Sequence, residues 1–249
     1  MKGIDVSKHN GAINWASVKV SGKVDYAILR AGYGKVITQK DPKFETYYSG
    51  AKAAGIPVGA YWYSYATTVE EAKQEANICL QAIKGKQFEY PIYFDLEEQA
   101  AFKTGKKNCS AMVRAFCDVL ESAGYWVGLY ISRSPLQTYI EDDIKTRYAL
   151  WVAEYASKLN YSGEVGMWQY SSKGNINGIS GSVDLDECYV DYPTSIKEAG
   201  KNGFTPTTPA DTQTDTPTTP ADTTTVTNGQ KRFTITVDGK TYSGILTEV

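Results

Sequence analysis

Asp95 and Glu97 are the side chains best equipped for chemistry, standing two apart at the end of the run Tyr90-Pro91-Ile92-Tyr93-Phe94-Asp95-Leu96-Glu97-Glu98. Ile92, Tyr93 and Phe94 favour a strand, and Pro91 sits where a strand can begin without giving up a ladder hydrogen bond. Side chains alternate along a strand, so the two carboxylates face the same way, roughly 6.6 Å apart along the backbone at about 3.3 Å per residue, with Leu96 turned into the packing. Carboxylates that converge raise the pKa of the less solvated one and leave the other ionised, which provides one proton donor and one acceptor. A D-x-E pair also occurs where a strand frays into a solvated acidic turn, so the rest of the chain must decide between the two.

The elements that would position this pair alternate between strand and helix. Residues 2–6 read as a first strand and residues 24–30 (VDYAILR) as a second, leading into the turn Ala31-Gly32-Tyr33-Gly34. Asp41 is placed to cap a helix with Pro42 in its first turn, an apolar side of Phe44, Tyr47, Tyr48 and Ala51, and Gly55 to end it. Residues 56–65 form a third strand. Thr68 with Glu71 makes a capping box for a helix whose Val69, Ala72, Ala76, Leu80 and Ile83 recur at helical spacing until Gly85. After the carboxylate strand, Ala111, Ala115, Val119 and Ala123 mark a helix packed on a sheet, followed by a strand at 125–132 and a short helix at 135–142. Residues 148–155, 165–170 and 183–185 then read as three strands in succession. Five β-α units and three bare strands predict a barrel-like α/β domain with a parallel beginning and a less regular close, its active face at the carboxyl ends of the strands.

That topology gathers further groups. Asp5 ends the first strand and Asp184 lies in the last beside Asp186; in a closed barrel these strands are neighbours, so Asp5 and Asp184 should meet at one mouth with Asp95 and Glu97. Tyr61 and Tyr63 share a face opposite Trp62, and Tyr130, Trp151, Tyr155, Trp168 and Tyr170 fall at other strand ends. Aromatics there often serve as packing, but here acids surround them. A cleft of carboxylates and aromatic faces, without a metal or phosphate motif, suits sugar rings, whose C–H faces stack on aromatics and whose glycosidic bonds yield to paired carboxyl groups. Arg30, at the end of the second strand, either holds a carboxylate in the cleft or forms a plain ion pair.

Other chemistries fit less well. Net charge is −2 and no basic run occurs, which excludes the electrostatic footprint of a nucleic-acid binder. No apolar run reaches the ~18 residues of a membrane helix, so membrane insertion is not expected. The one histidine, His9, has no nucleophile elbow and no metal partner. Gly32-Tyr33-Gly34 lacks the third glycine of a dinucleotide loop. Cys79, Cys109, Cys117 and Cys188 show no metal spacing; reduced, packed thiols are the expectation, with one disulfide left open for a protein that works outside the cell. Neither cofactor nor metal is expected.

Asp5-Val6-Ser7, Gly59-Ala60-Tyr61-Trp62-Tyr63, Asp95-Leu96-Glu97, Leu150-Trp151-Val152-Ala153-Glu154-Tyr155, Trp168-Gln169-Tyr170 and Val183-Asp184-Leu185, in this order, resemble glycoside hydrolase family 25, the muramidase-type lysozymes of bacteria and their phages. The resemblance covers residues 2–192. It implies an irregular (β/α)5β3, TIM-like barrel that hydrolyses the β-1,4 bond from N-acetylmuramic acid to N-acetylglucosamine in peptidoglycan. On this match Glu97 is the general acid and then base, Asp95 stabilises the reacting N-acetyl group or acts directly on the sugar, and Asp5 and Asp184 complete an acidic floor. Tyr61, Tyr63, Tyr130, Trp151, Tyr155, Gln169 and Arg30 are the expected sugar-binding residues. The family usually shows Tyr-His-Phe where this chain has Tyr61-Trp62-Tyr63, and commonly Asn where Asp186 stands.

Residues 1–201 are therefore expected to form the catalytic domain. Residues 202–229, rich in Thr, Pro, Asp and Ala with TPTTPADT at 205–212 and again at 216–223, have almost nothing to bury and read as a disordered linker. Residues 230–249 read as a β-hairpin turning at Asp238-Gly239, too small to be stable alone and expected to need the wall or a second copy as partner. The start, MKGIDV, has no apolar core of a secretory signal, so action on the wall would follow release by a phage-type lysis route.

Overall fold

Strands buried on both faces need apolar side chains pointing both ways, and alternation here feeds two separate cores. The computed structural model describes residues 1–206, 231–237 and 240–246. Its elements are β1 (Lys2–Val6), α1 (Trp15–Val20), β2 (Tyr26–Tyr33), α2 (Phe44–Ala53), β3 (Val58–Tyr63), α3 (Val69–Ile83), β4 (Ile92–Asp95), α4 (Gln99–Phe102), α5 (Lys106–Ser122), β5 (Val127–Ser132), α6 (Arg133–Tyr139), α7 (Asp142–Arg147), β6 (Ala149–Ala153), β7 (Met167–Gly174), β8 (Val183–Cys188), α8 (Tyr192–Glu198), β9 (Lys231–Val237) and β10 (Lys240–Leu246). Strands β1 to β8 close into a barrel in sequence order. Ala27, Leu29, Ile92, Phe94 and Leu96 face outward into the layer beneath the helices, while Tyr26, Ile28, Tyr93, Tyr130 and Trp151 fill the barrel interior. Phe94 meets Phe116 of α5 with ring centroids 4.7 Å apart.

Strands β1 to β7 are parallel, whereas β8 runs antiparallel to both β7 and β1. This is the irregular (β/α)5β3 barrel expected from sequence. The reversed β8 has a consequence for the site, because its amino end lies at the rim where the other strands end. Asp184 is thereby paired in register with Asp5, and Asp186 with Gly3 one layer deeper.

The interior aromatics demand small neighbours. A Cβ on Gly3 would enter the Tyr26 ring, and one on Gly128 would collide with the Ala149 carbonyl and stand 2.5 Å from the Tyr93 ring. The Ala149 clash is with backbone and no side-chain rotation relieves it. Gly128→Ala is expected to lower unfolding stability by about 3 kcal/mol, the upper range for overpacking, measured by denaturant titration.

Several local expectations are corrected. Asp41 does not cap the second helix; α2 starts after Lys43, and the Asp41 carboxylate accepts instead from Arg30 Nε at 2.7 Å, Lys8 N–H at 3.0 Å and Lys43 N–H at 2.8 Å. The single helix expected at 135–142 is two, α6 and α7, because buried Ile140 leaves the helix in extended conformation to reach the outer core. Helix α1, capped by Asn14, escaped the sequence reading because it spans only six residues. Thr68 does cap α3 through Glu71 N–H at 3.2 Å, but the Glu71 carboxylate returns to Thr67 N–H at 2.8 Å rather than to Thr68. All four cysteines are free and buried, and His9 is exposed.

The chain divides into two units, residues 1–209 and 210–249. In the second, β9 and β10 pair antiparallel, Lys240 opposite Val237. The expected turn at Asp238-Gly239 and the linker residues 207–230 lie outside the described residues. Among the described residues no helix is long and apolar enough to cross a membrane.

Candidate active site

The carboxyl ends of the parallel strands, with the amino end of β8, enclose a cleft of about 200 Å³ lined by Asp5, Arg30, Tyr61, Tyr63, Asp95, Glu97, Tyr130, Trp151, Tyr155, Gln169 and Asp184. The four acids and seven sugar-binding candidates expected from sequence are all on its wall, whereas Trp168 and Tyr170 are not; Trp168 Nε1 donates instead to the Glu154 carbonyl at 2.8 Å. Asp95 ends β4 and is buried, Leu96 turns into the outer core, and Glu97, two residues past the strand, stands exposed at the rim.

The floor is a hydrogen-bonded lattice. Gln169 Nε2 donates to Asp5 Oδ2 at 2.7 Å, and Gln169 Oε1 accepts from Tyr130 at 2.9 Å and Tyr155 at 3.0 Å. Two tyrosine hydroxyls thus fix the amide orientation, and the amide fixes Asp5. Trp151 Nε1 donates to Asp186 Oδ1 at 2.9 Å, while its ring packs edge-on against Tyr130 and Tyr93 at centroid distances of 4.4 and 5.1 Å. At the rim, Tyr63 donates to Glu98 Oε1 at 2.8 Å. Arg30 resolves into both of its readings: its Nε pairs with buried Asp41, and its side chain still lines the cleft, where its charge acts on Asp95.

Electrostatics corrects one expectation. A pair split into one raised and one ordinary carboxylate was predicted, but both are raised. Burial pushes Asp95 well above the usual carboxylate range, Glu97 and Glu98 add to this, and Arg30 opposes it. Partial desolvation raises Glu97 as well, reinforced by Glu98 and Asp184. Asp5 is raised well above its ordinary value by burial and then by Asp186 and Asp184, with Gln169 opposing. The cleft therefore holds protons at pH values where the unfolded chain would have released them.

Asp186, left out of the predicted set, is fully buried, and its Oδ2 has no hydrogen-bond donor among the described residues. The signal was present: it lies two residues beyond Asp184 on one strand face. Burial raises its pKa well above normal, with Trp151 opposing. A carboxyl raised in the folded state costs stability above its unfolded pKa, near 3.9, and ceases to do so as pH falls through that value. Asp186→Asn keeps an acceptor for Trp151 and adds donors, so it is expected to stabilise the protein at pH 7 by about 1–3 kcal/mol, a gain that fades towards pH 4, read by thermal denaturation at both pH values.

Fold and mouth together define the class: an irregular α/β barrel with an acidic, aromatic-walled cleft at the carboxyl ends of its strands. Residues 4–179 match the model of Glycosyl hydrolases family 25, and the chain belongs to that family. It is 34% identical over 188 residues to an autolytic lysozyme of Clostridium acetobutylicum, a match covering 75% of this chain and 55% of the relative. The modular autolysin LytC of Streptococcus pneumoniae, solved in complex with a synthetic peptidoglycan ligand, superposes with a TM-score of 0.68 at 32% identity, covering 76% of this chain and 46% of that one. The catalytic domain of the endolysin ply40, from bacteriophage P40 of Listeria monocytogenes, superposes at 0.65 with 26% identity, covering 79% of this chain and 96% of that one. The chain thus spans about half the length of the first two.

Proposed function

We propose that the protein is an N-acetylmuramidase that cleaves the β-1,4 bond from N-acetylmuramic acid to N-acetylglucosamine in peptidoglycan. The observation that carries this reading is the convergence of Asp95 and Glu97 at one rim of an aromatic-walled cleft on a family 25 barrel. The names of its relatives, an autolytic lysozyme and an autolysin bound to a peptidoglycan ligand, support the substrate class.

Glu97, raised and exposed at the rim, gives its proton to the glycosidic oxygen, and the C1–O bond breaks with departure of the leaving sugar as an alcohol. The carbonyl oxygen of the neighbouring N-acetyl group bonds to C1 from the opposite face, and the Asp95 carboxylate accepts a hydrogen bond from the amide N–H as positive charge develops there. Glu97, now a carboxylate, removes a proton from water, the water oxygen bonds to C1, the N-acetyl group leaves, and the β configuration is retained. The carboxylate-separation rule for retaining and inverting pairs does not apply where the substrate supplies the nucleophile. Asp5, Asp184 and Asp186 form the acidic floor beneath the charged intermediate. Tyr61, Tyr63, Tyr130, Trp151 and Tyr155 offer sugar-facing surfaces, and Gln169 holds Asp5 in place.

In this reading the catalytic domain is residues 1–201 extended by Asn202, whose buried side chain accepts from Trp126 N–H at 2.7 Å and donates to the Phe88 and Tyr90 carbonyls at 3.0 and 2.9 Å; a linker follows, and 230–249 is a tail for wall attachment or self-association. Purified bacterial walls incubated with the protein should lose turbidity, and proton magnetic resonance of the first-formed product should show the β anomer. Binding to walls without loss of turbidity would instead identify a non-catalytic wall-binding protein on the same barrel, and a first-formed α anomer would overturn the retaining mechanism.

A further inference from the structure

Glu75 sits on the buried face of α3 among Ala72, Ala76 and Cys79, where a carboxylate is tolerated only if its oxygens find donors. Both donors come from one short stretch. Glu75 Oε2 accepts from the Ser64 hydroxyl at 2.6 Å and Oε1 from the Tyr65 N–H at 2.9 Å, while Ser64 Oγ accepts from the Ala66 N–H at 3.1 Å. This stretch leaves the cleft end of β3. The Ser64 N–H donates to the Asp95 carbonyl at 3.0 Å, and Tyr63 lines the cleft and holds Glu98.

We propose that Glu75 is a positioning residue of the active cleft: its carboxylate clamps Ser64 and Tyr65, and so holds Tyr63 and the Asp95 backbone in place. The inference rests on the muramidase reading given above. One turn earlier on the same helix, Glu71 holds the next part of this connection through Thr67 and pairs with Lys35 at 2.6 Å. The two clamps differ in kind. Lys35 and Thr67 hold the Glu71 carboxyl down to about 2, so it stays ionised. Burial pushes Glu75 up to about 7, opposed by Ser64 and Tyr65. The titratable and charged groups that act on Glu75 are Glu71 and Cys79 on its own helix and Lys35 from the β2–α2 connection.

Ionised, Glu75 accepts two charge-assisted hydrogen bonds, each about twice as strong as a neutral one. Protonated, one oxygen becomes a donor, the bond between Oε2 and Ser64 Oγ reverses direction, the charge assistance is lost, and the grip on β3 loosens. The sign for stability is opposite: the folded pKa lies above the ordinary 4.5, so the fold loses stability as pH rises from about 4.5 to about 7. The clamp tightens over the range in which the fold pays for the buried charge.

Glu75→Gln keeps the shape and fixes the neutral state. Carbon-13 resonance of the carboxyl groups, assigned by loss of a signal in E75Q, should show Glu75 titrating near pH 7. On a soluble glycan fragment, wild-type kcat should exceed that of E75Q by about three- to tenfold near pH 8, with KM unchanged and the difference vanishing near pH 5.5. Ser64→Ala, which removes only the hydroxyl, should show a smaller loss with the same pH dependence and serves if E75Q does not fold. A pH-independent kcat ratio, wild-type kcat in S64A throughout, or a Glu75 carboxyl titrating below pH 5 would overturn the proposal. If the wild-type protein hydrolyses nothing, the muramidase reading fails, and the Tyr65 amide decides on the clamp alone. Its hydrogen-exchange protection factor should rise above pH 7 in the wild type and stay constant in E75Q, and a constant factor in the wild type contradicts the clamp.

Discussion

Glu97→Gln is expected to reduce wall hydrolysis by about 10²–10⁴-fold, the usual worth of a positioned general acid, while binding to walls persists. Glutamine keeps the shape and loses the transferable proton. Because Glu97 is exposed at the rim, unfolding stability should stay within about 0.5 kcal/mol of the wild type. The raised pKa fixes the direction of the pH dependence: the acid must be protonated to act, so kcat falls as pH rises through that raised value. Rates of turbidity loss across pH, together with thermal denaturation, check both parts. A variant that keeps more than half the lytic rate removes Glu97 from the mechanism.

Asp95→Asn should separate function from stability in the other direction. Asp95 is buried, its Oδ1 has no donor among the described residues, and desolvation with the Glu97 and Glu98 charges raises its pKa well above normal. Each unit of such a shift costs the fold about 1.4 kcal/mol at pH values above both pKa values. The amide removes that cost and with it the charge that, in the proposed mechanism, meets the N-acetyl group. Activity is expected to fall by about 10²–10³-fold, as when one electrostatic stabiliser of a transition state is removed, while the melting temperature at pH 7 rises. The stabilisation should fade as pH falls through about 3.9, below which Asp95 is protonated in folded and unfolded chain alike. Loss of activity together with loss of stability would mark Asp95 as a structural residue instead.

The parts of the fold that depend on neighbours in sequence were legible. Lys2–Val6, the Ile92–Asp95 strand and the Thr68 cap follow from alternation, strand formers and a capping residue, all local signals. Several cleft residues were legible for a related reason: Asp5, Tyr63 and Asp95 lie at or near the carboxyl ends of their strands, which barrel topology carries to one rim, whereas Gln169, near the start of β7, entered only through the family resemblance. What stayed hidden was decided by partners distant in the chain. Asp41 reads as a helix cap until Arg30, eleven residues earlier, claims its carboxylate. Glu75 reads as a polar interruption of an apolar stripe until Ser64 and Tyr65 supply its donors. The reversed direction of β8, which lifts Asp184 to the mouth and drops Asp186 beneath it, leaves no local trace in a strand of six residues.

The most direct test of the central claim is the chemical identity of the new reducing ends. Peptidoglycan digested by the protein, reduced with borohydride and resolved by mass spectrometry, should carry reduced N-acetylmuramic acid at every newly formed end, and digestion by Glu97→Gln should produce almost none. Reduced N-acetylglucosamine at those ends would mean that the cleft cuts the other glycosidic bond, and would contradict the assignment.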